Sequence, residues 1–310
     1  MFGGEFVPYS FNYSFVVMVL TFNGTHYKVC TGSVFHDFLV ITAAHCFLEK
    51  DVVYTTHIRI RVHDSQKHYH DYLVSNLFIH PLYLEKVEND IAIVKTQTEI
   101  KSQQLSLYFD KYLPKGYFVN MQCVTLGYGL NKNVAHQDTK NIILTKIDDM
   151  RVFSFRRCLY VVHFFTTRIL CVPMLNGRGP CVGDSGSAII CGGQAIGILS
   201  RGYVLGNGCQ ADRKGIFIYE SLYRHRVWLN RTIALALEPT SFQVVSNVAT
   251  RLPKDYLQSE FLIVTTCTVC QVIHSHLNDE FFNLVEQVGV CSERGIARGQ
   301  LTKYLLSERC

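Results

Sequence analysis

Charge and long apolar runs are both scarce in this chain. Only 18% of its 310 residues are Asp, Glu, Lys or Arg against 48% apolar residues, which excludes the polar, highly charged composition of a disordered chain. No cluster of Lys and Arg is dense enough to mark a nucleic-acid surface, and a formal charge of +5 is small for this length. No stretch approaches the roughly 20 apolar residues of a membrane span. The run Phe15 to Leu20 has the length of a strand. No basic segment precedes the apolar residues 1–22, so no secretory signal is evident, and the expectation is that a signal and activation peptide belong upstream. No internal repeat is visible.

Cysteine, by contrast, is plentiful. Twelve of them, an even number, point to an oxidising compartment and a disulfide framework. Three sequons, Asn12-Tyr13-Ser14, Asn23-Gly24-Thr25 and Asn230-Arg231-Thr232, agree with a secreted glycoprotein.

Short apolar runs fill the first 220 residues: Phe15–Phe22, Phe38–Thr42, His57–Val62, Leu73–Ile79, Ile91–Val94, Val119–Leu126, Asn141–Ile147, Leu170–Val172, Ala188–Ile190, Ala195–Leu199 and Gly215–Tyr219. They are rich in Val, Ile, Phe and Thr. Turn pairs such as Asn176-Gly177 and Asn207-Gly208 separate them. Many short strands at this spacing predict a barrel or a sandwich. From Glu220 to Leu237 the period changes, and Leu222, Tyr223, Val227, Trp228, Ile233, Leu235 and Leu237 follow a helical stripe that Pro239 ends. Residues 239–260 read as a linker. Beyond them lie a strand-like Phe261–Val264, a helix around 278–288, and four cysteines, Cys267, Cys270, Cys291 and Cys310. These four fit two disulfides in any of three connectivities, a metal site or a thiol–disulfide pair; oxidising conditions favour the disulfides.

Three segments carry the chemistry: Thr42-Ala43-Ala44-His45-Cys46, Asn89-Asp90-Ile91-Ala92 and Pro180-Cys181-Val182-Gly183-Asp184-Ser185-Gly186. A serine hydroxyl is a poor nucleophile until an imidazole takes its proton, and a buried carboxylate holds that imidazole in the correct tautomer. With these motifs in the order His, Asp, Ser, the chain resembles the chymotrypsin-like serine peptidase family from Phe2 to about Leu237. The resemblance implies Ser185 as nucleophile, His45 as general base and then acid, Asp90 as orienting carboxylate, and Gly183 and Ser185 as backbone donors of the oxyanion hole. It implies a specificity pocket at Gly179, Ser200, Gly202 and Gly215, with no acidic side chain at Gly179 to receive Lys or Arg. An open apolar slot favours Phe, Tyr or Leu. Arg201 stands where the family carries Trp, which favours an acidic residue elsewhere in the substrate. Asp212 lies near the rim and reads as a solvated turn residue.

The resemblance further implies the disulfides Cys30–Cys46, Cys123–Cys191, Cys158–Cys171 and Cys181–Cys209, and an activation ion pair between Asp184 and an N-terminal amine. The fold expected is all-β: two six-stranded antiparallel barrels, approximately 1–110 and 111–238, meeting near residues 105–118, with a C-terminal helix. A small cysteine-containing extension at 239–310 has no family counterpart. The function expected is a secreted serine endopeptidase working through an acyl-enzyme and made as a zymogen. It needs no cofactor or metal; its partners are polypeptide substrates and protein inhibitors, not nucleic acid or membrane. The competing reading is a catalytically silent homologue that binds proteins through the same cleft.

Overall fold

The computed structural model describes residues 1–238 apart from 9–10, 23, 25–26, 50–51, 54–56, 64–67, 84–87, 110–117, 120, 132–142, 155–156, 159–168, 205–208 and 210–214. In chain order the first strands are β1 (Glu5–Phe6), β2 (Val16–Phe22), β3 (Tyr27–His36), β4 (Leu39–Thr42), β5 (Leu48–Glu49), β6 (Val52–Val53), β7 (Ile58–His63), β8 (Tyr69–Ile79) and β9 (Ala92–Thr96). There follow β10 (Cys123–Gly127), β11 (Thr145–Met150), β12 (Ile169–Pro173), β13 (Ala188–Cys191), β14 (Gln194–Val204), β15 (Gly215–Ser221) and the helix α1 (Arg226–Leu237).

Six of these strands close a barrel in the order β2-β3-β4-β9-β8-β7. The run Val16 to Leu20 has no polar face to offer water, and β2 is buried almost throughout. β7 shows the other pattern. Ile58, Ile60 and Val62 are buried, and between them Arg59 and Arg61 alternate at the period of a strand. Arg61 lies opposite Asp71 of β8 and forms a two-pronged pair with it, Nε–Oδ1 2.6 Å and a second guanidinium nitrogen to Oδ2 at 2.8 Å.

The second sheet corrects the expectation of two six-stranded barrels. It has seven strands, in the order β1-β11-β10-β13-β14-β15-β12, and it stays open. Its end strands explain why. β1 is two residues long and pairs with β11 alone, through Glu5↔Lys146 and Phe6↔Thr145. β12 has its ladder with β15. Across the gap between β11 and β12, the described backbone supplies the single bond Phe153 N to Cys171 O at 2.8 Å, and the Cys158–Cys171 disulfide fastens the same place. A tie and a cross-link stand where a closed barrel needs a ladder.

The two sheets share one core. The barrel's cluster runs through Val17, Val19, Leu39 and Ile93 into Leu126, Tyr128, Ala188 and Ile198 of the open-sheet half. The Tyr128 hydroxyl donates to Val16 O across that boundary at 3.1 Å. A separate cluster within the open sheet packs Met1, Ile147, Val172, Phe217 and Tyr219 together. Each such buried aliphatic or aromatic side chain contributes about 1.5–3 kcal/mol.

β3 and the helix depart from the sequence reading for identifiable reasons. β3 was not among the expected runs, because Thr31-Gly32-Ser33 interrupts its apolar character; those residues are nevertheless buried. The helix expected from Glu220 begins only at Arg226, since Glu220 and Ser221 still pair in β15. The linker and extension at 239–310, with their expected strand, helix and four cysteines, lie outside the described residues. Among the described residues no helix is long and apolar enough to cross a membrane.

Candidate active site

His45 sits in a 3₁₀ turn, Ala44–Cys46, at the end of β4. The small side chains of Ala43 and Ala44 are fully buried there. Two further contacts pin the turn: the Cys30–Cys46 disulfide ties it to β3, and Lys28 Nζ donates to His45 O at 2.7 Å.

Asp90 arrives from the neighbouring strand, just ahead of β9, where Thr42 of β4 pairs with Ala92. It follows Asn89, whose backbone is left-handed at φ 59° and whose side chain donates to Leu82 O at 2.8 Å. A short amide side chain that bonds locally tolerates such a conformation. The result aims the Asp90 carboxylate at the histidine. Oδ1 accepts from His45 N at 2.9 Å, and Oδ2 pairs with His45 Nδ1 at 2.7 Å and accepts from Ser200 Oγ at 2.6 Å. Burial pushes the Asp90 carboxyl up. The attraction of His45 and the hydrogen bonds from His45 and Ser200 outweigh it, holding Asp90 below the usual carboxylate range. Asp90 is therefore a buried carboxylate, not a carboxylic acid.

Ser185 lies half-buried in the loop from Cys181 to Ser187. Backbone bonds join this loop to both halves: Thr31 N donates to Ser185 O at 2.8 Å, and Gly186 N donates to Leu199 O at 2.9 Å. Thr31 Oγ1 donates to Gly183 O at 2.9 Å, while Gly183 itself has φ 95°, a conformation that suits glycine. Cys46 Sγ is 3.9 Å from Ser185 O, so the histidine turn and the serine loop are in contact.

Beneath the loop, Asp184 is fully buried. Its Oδ2 lies 2.9 Å from the Met1 amine and accepts from Cys181 N, and its Oδ1 accepts from Gly129 N, both at 2.8 Å. The amine also donates to Thr145 Oγ1 at 2.9 Å and Gly129 O at 3.2 Å. A buried ion pair is tolerable only when its remaining hydrogen-bonding capacity is met, as it is here. A Cβ at Gly127 or Gly129 would overlap the Asp184 carboxylate, so glycine at both positions makes room for it.

Two of the expected pocket residues, Gly179 and Gly202, meet one side chain that the sequence reading did not name. Asn176 and Gly177, both with positive φ, make a tight two-residue turn between Leu175 and Arg178, and this delivers Gly179 beside Phe2. A Cβ at Gly179 would overlap the Phe217 ring, and one at Gly202 would meet the same ring at 2.9 Å. Phe217, 1% exposed, thus fills the space between Gly179 and Gly202. Gly215 begins the strand that carries it and accepts from Met174 N at 2.8 Å. An aromatic residue two positions after Gly215 was the available signal. Asp212 lies outside the described residues.

Cys123–Cys191 and Cys181–Cys209 are joined as well, the latter bracing the serine loop. Cys30, His45 and Cys46 place ligand-type atoms within 4.8 Å of one another, but both sulfurs are in one disulfide and neither is a thiolate.

Comparison with known proteins agrees with this geometry. The family model described as Trypsin matches residues 3–227. A trypsin from Squalus acanthias is 30% identical over 216 residues, which is 67% of this chain and 87% of that one. Granzyme M from Rattus norvegicus is 29% identical, covering 64% of this chain and 76% of its own. The structure of neuropsin, a serine protease expressed in the limbic system of mouse brain, matches with a TM-score of 0.56 at 23% identity. That match covers 74% of this chain and 98% of neuropsin, and it speaks for the fold. A family match over most of the chain, with a buried carboxylate locked to a histidine beside the Asp184-Ser185 loop, shows that this protein belongs to the trypsin family and is a serine-type endopeptidase.

Proposed function

We propose that the enzyme hydrolyses polypeptides through an acyl-enzyme, with Ser185 as nucleophile, His45 as base and then acid, and Asp90 as the carboxylate that orients it. The observation that carries this reading is the Asp90 carboxylate, bound by His45 N, His45 Nδ1 and Ser200 Oγ and held ionised in a buried place. Such a carboxylate fixes the Nδ1–H tautomer, leaving Nε2 to accept the serine proton. The N–H groups of Gly183 and Ser185 serve as the oxyanion hole, and the amine–Asp184 pair holds their loop.

The residue before the scissile bond is apolar: Phe, Tyr or Leu. Gly179 offers no charge, and the Phe217 ring makes the floor aromatic. Because that ring occupies depth between Gly179 and Gly202, Leu is accommodated with the least displacement. Residues 1–238 form the protease domain, and 239–310 are an appendage to it. Four disulfides and the exposed sequon residues Asn12 and Asn230 support a secreted, glycosylated enzyme. Activation by proteolysis would supply an amine to Asp184, and N-terminal sequencing of secreted material tests that step.

The experiment is a panel of chromogenic peptides differing only at the residue before the cleaved bond, with Ser185→Ala as control. Turnover after Leu, Phe and Tyr is expected, with Lys and Arg far behind. Strong cleavage after Lys or Arg would overturn the pocket reading. Wild type no faster than Ser185→Ala would sink the catalytic one and leave a protein-binding homologue.

A further inference from the structure

Arg201 stands in place of the family's aromatic residue beside Ser200, and the backbone gives it an unusual aim. β14 pairs with β15 as Leu199↔Tyr219 and resumes as Arg201↔Ile218, so Ser200 is an extra residue in the ladder. A bulge of this kind breaks the strict alternation of side chains and lets neighbours in sequence address one side. Here Arg201 donates a guanidinium N–H to Ser200 Oγ at 3.1 Å, and Ser200 Oγ donates to Asp90 Oδ2 at 2.6 Å. With its lone pair engaged by the cation, the serine hydroxyl has its own proton free for Asp90.

We propose that Arg201 is a positioning residue for the His45–Asp90 couple, fixing Ser200 as a donor to the carboxylate that orients the histidine. The proposal rests on the reading of His45 as base and Asp90 as its orienting carboxylate. Other charges near the couple can be named. Among the described residues, Lys28 of β3 donates to His45 O at 2.7 Å, and the serine loop carries Asp184, paired at 2.9 Å with the Met1 amine. Arg201 differs from both: it reaches Asp90 through a side-chain hydroxyl. A cation there disfavours imidazolium, so its removal raises the pH at which His45 takes up a proton. A slackened Ser200 leaves Asp90 more basic, which acts in the same direction.

The test uses Arg201→Leu and Arg201→Lys in the full chain, reading kcat/KM against pH together with an NMR titration of the His45 ring. In Arg201→Leu the acid limb and the His45 titration should both move up by about half a pH unit. kcat should fall severalfold while KM for a neutral peptide stays within about twofold. Arg201→Lys, which restores charge without the planar fork, should return the limb toward wild type and recover only part of kcat. Superimposable His45 titrations in wild type and Arg201→Leu would overturn the proposal. So would a loss confined to KM for peptides bearing acidic residues, which would make Arg201 a substrate contact instead. If wild type proves no more active than Ser185→Ala, the catalytic reading fails, and the NMR titration still decides the role of Arg201.

Discussion

Among the described residues, two histidine–carboxylate couples have opposite surroundings. His45 and Asp90 meet at 2.7 Å with the imidazole 26% exposed and the carboxylate 5% exposed. His225 and Glu220 meet at 2.9 Å with exposures of 1% and 0%. Asp90 takes three hydrogen bonds, whereas the Oε1 atom of Glu220 has no hydrogen-bond partner among the described residues. The His225 ring packs edge-on against His80, which in turn lies against Trp228. One couple leaves its imidazole partly exposed and surrounds the ionised carboxylate behind it with hydrogen-bond donors. The other is a cross-link between the end of β15 and the start of α1, sealed on all sides. The same two functional groups become a machine or a brace according to which face is left open and how fully the carboxylate is satisfied.

The largest test of that contrast replaces the histidines in turn. His45→Ala should lower kcat by about 10⁶, with little change in unfolding midpoint, because a partly exposed ring leaves a water-accessible gap. Asp90→Asn, which keeps the shape but loses the tautomer control, should cost about 10⁴ in kcat. Both are read by active-site-titrated kinetics. If His225→Ala lost as much turnover per folded molecule as His45→Ala, the distinction between the couples would collapse.

Stability should respond the other way. Removing one partner of a buried hydrogen-bonded pair strands the other, at a cost of about 1–3 kcal/mol. His225→Ala and Glu220→Gln should each shift the denaturant midpoint accordingly while kcat/KM per folded active site stays within about twofold. A midpoint equal to wild type would show that the pair is not a brace.

How much of this was legible beforehand depends on which forces act. β2 and β9 were readable because their residues are buried along nearly the whole run, so apolarity and strand coincide. β3 was not, because Thr31 is buried for its hydrogen bonds to Gly183 O and Tyr128 N, and a polar residue with a tertiary task looks like a turn in sequence. Closure of the second sheet was not readable either. It depends on whether β12 finds a ladder across from β11, and no local pattern encodes that long-range register. In the site, the residues of the three motifs could be named from the chain. Phe217 could not be placed, since its contact with Gly179 and Gly202 depends on two distant backbone segments converging. Nor could the inward aim of Arg201, which follows from one extra residue in a strand.

The pair of Arg61 and Asp71 calibrates the comparison at its weak end. Arg61 and Asp71 face each other across β7 and β8 with exposures of 10% and 19%, and Arg59 adds a longer contact at 3.5 Å. Burial pushes the Asp71 carboxyl up, but the hydrogen bonds and charge of Arg61, then those of Arg59, outweigh it and hold Asp71 below its ordinary range. A depressed folded-state pKa means stability that is present above the unfolded value of about 3.9 and is lost as pH falls through the folded one. Asp71→Asn should therefore cost about 0.5–1 kcal/mol at pH 7, the pair being partly screened by water. The gap between variant and wild type should narrow below about pH 4. Taking the difference cancels the acid sensitivity that Asp90, depressed in the same direction, contributes to both proteins. Denaturant midpoints at pH 7 and 3.5 give the answer. A gap unchanged between the two would assign the loss to packing around Arg61, which also lies 3.9 Å from the centre of the Tyr69 ring, and remove the charge from the argument.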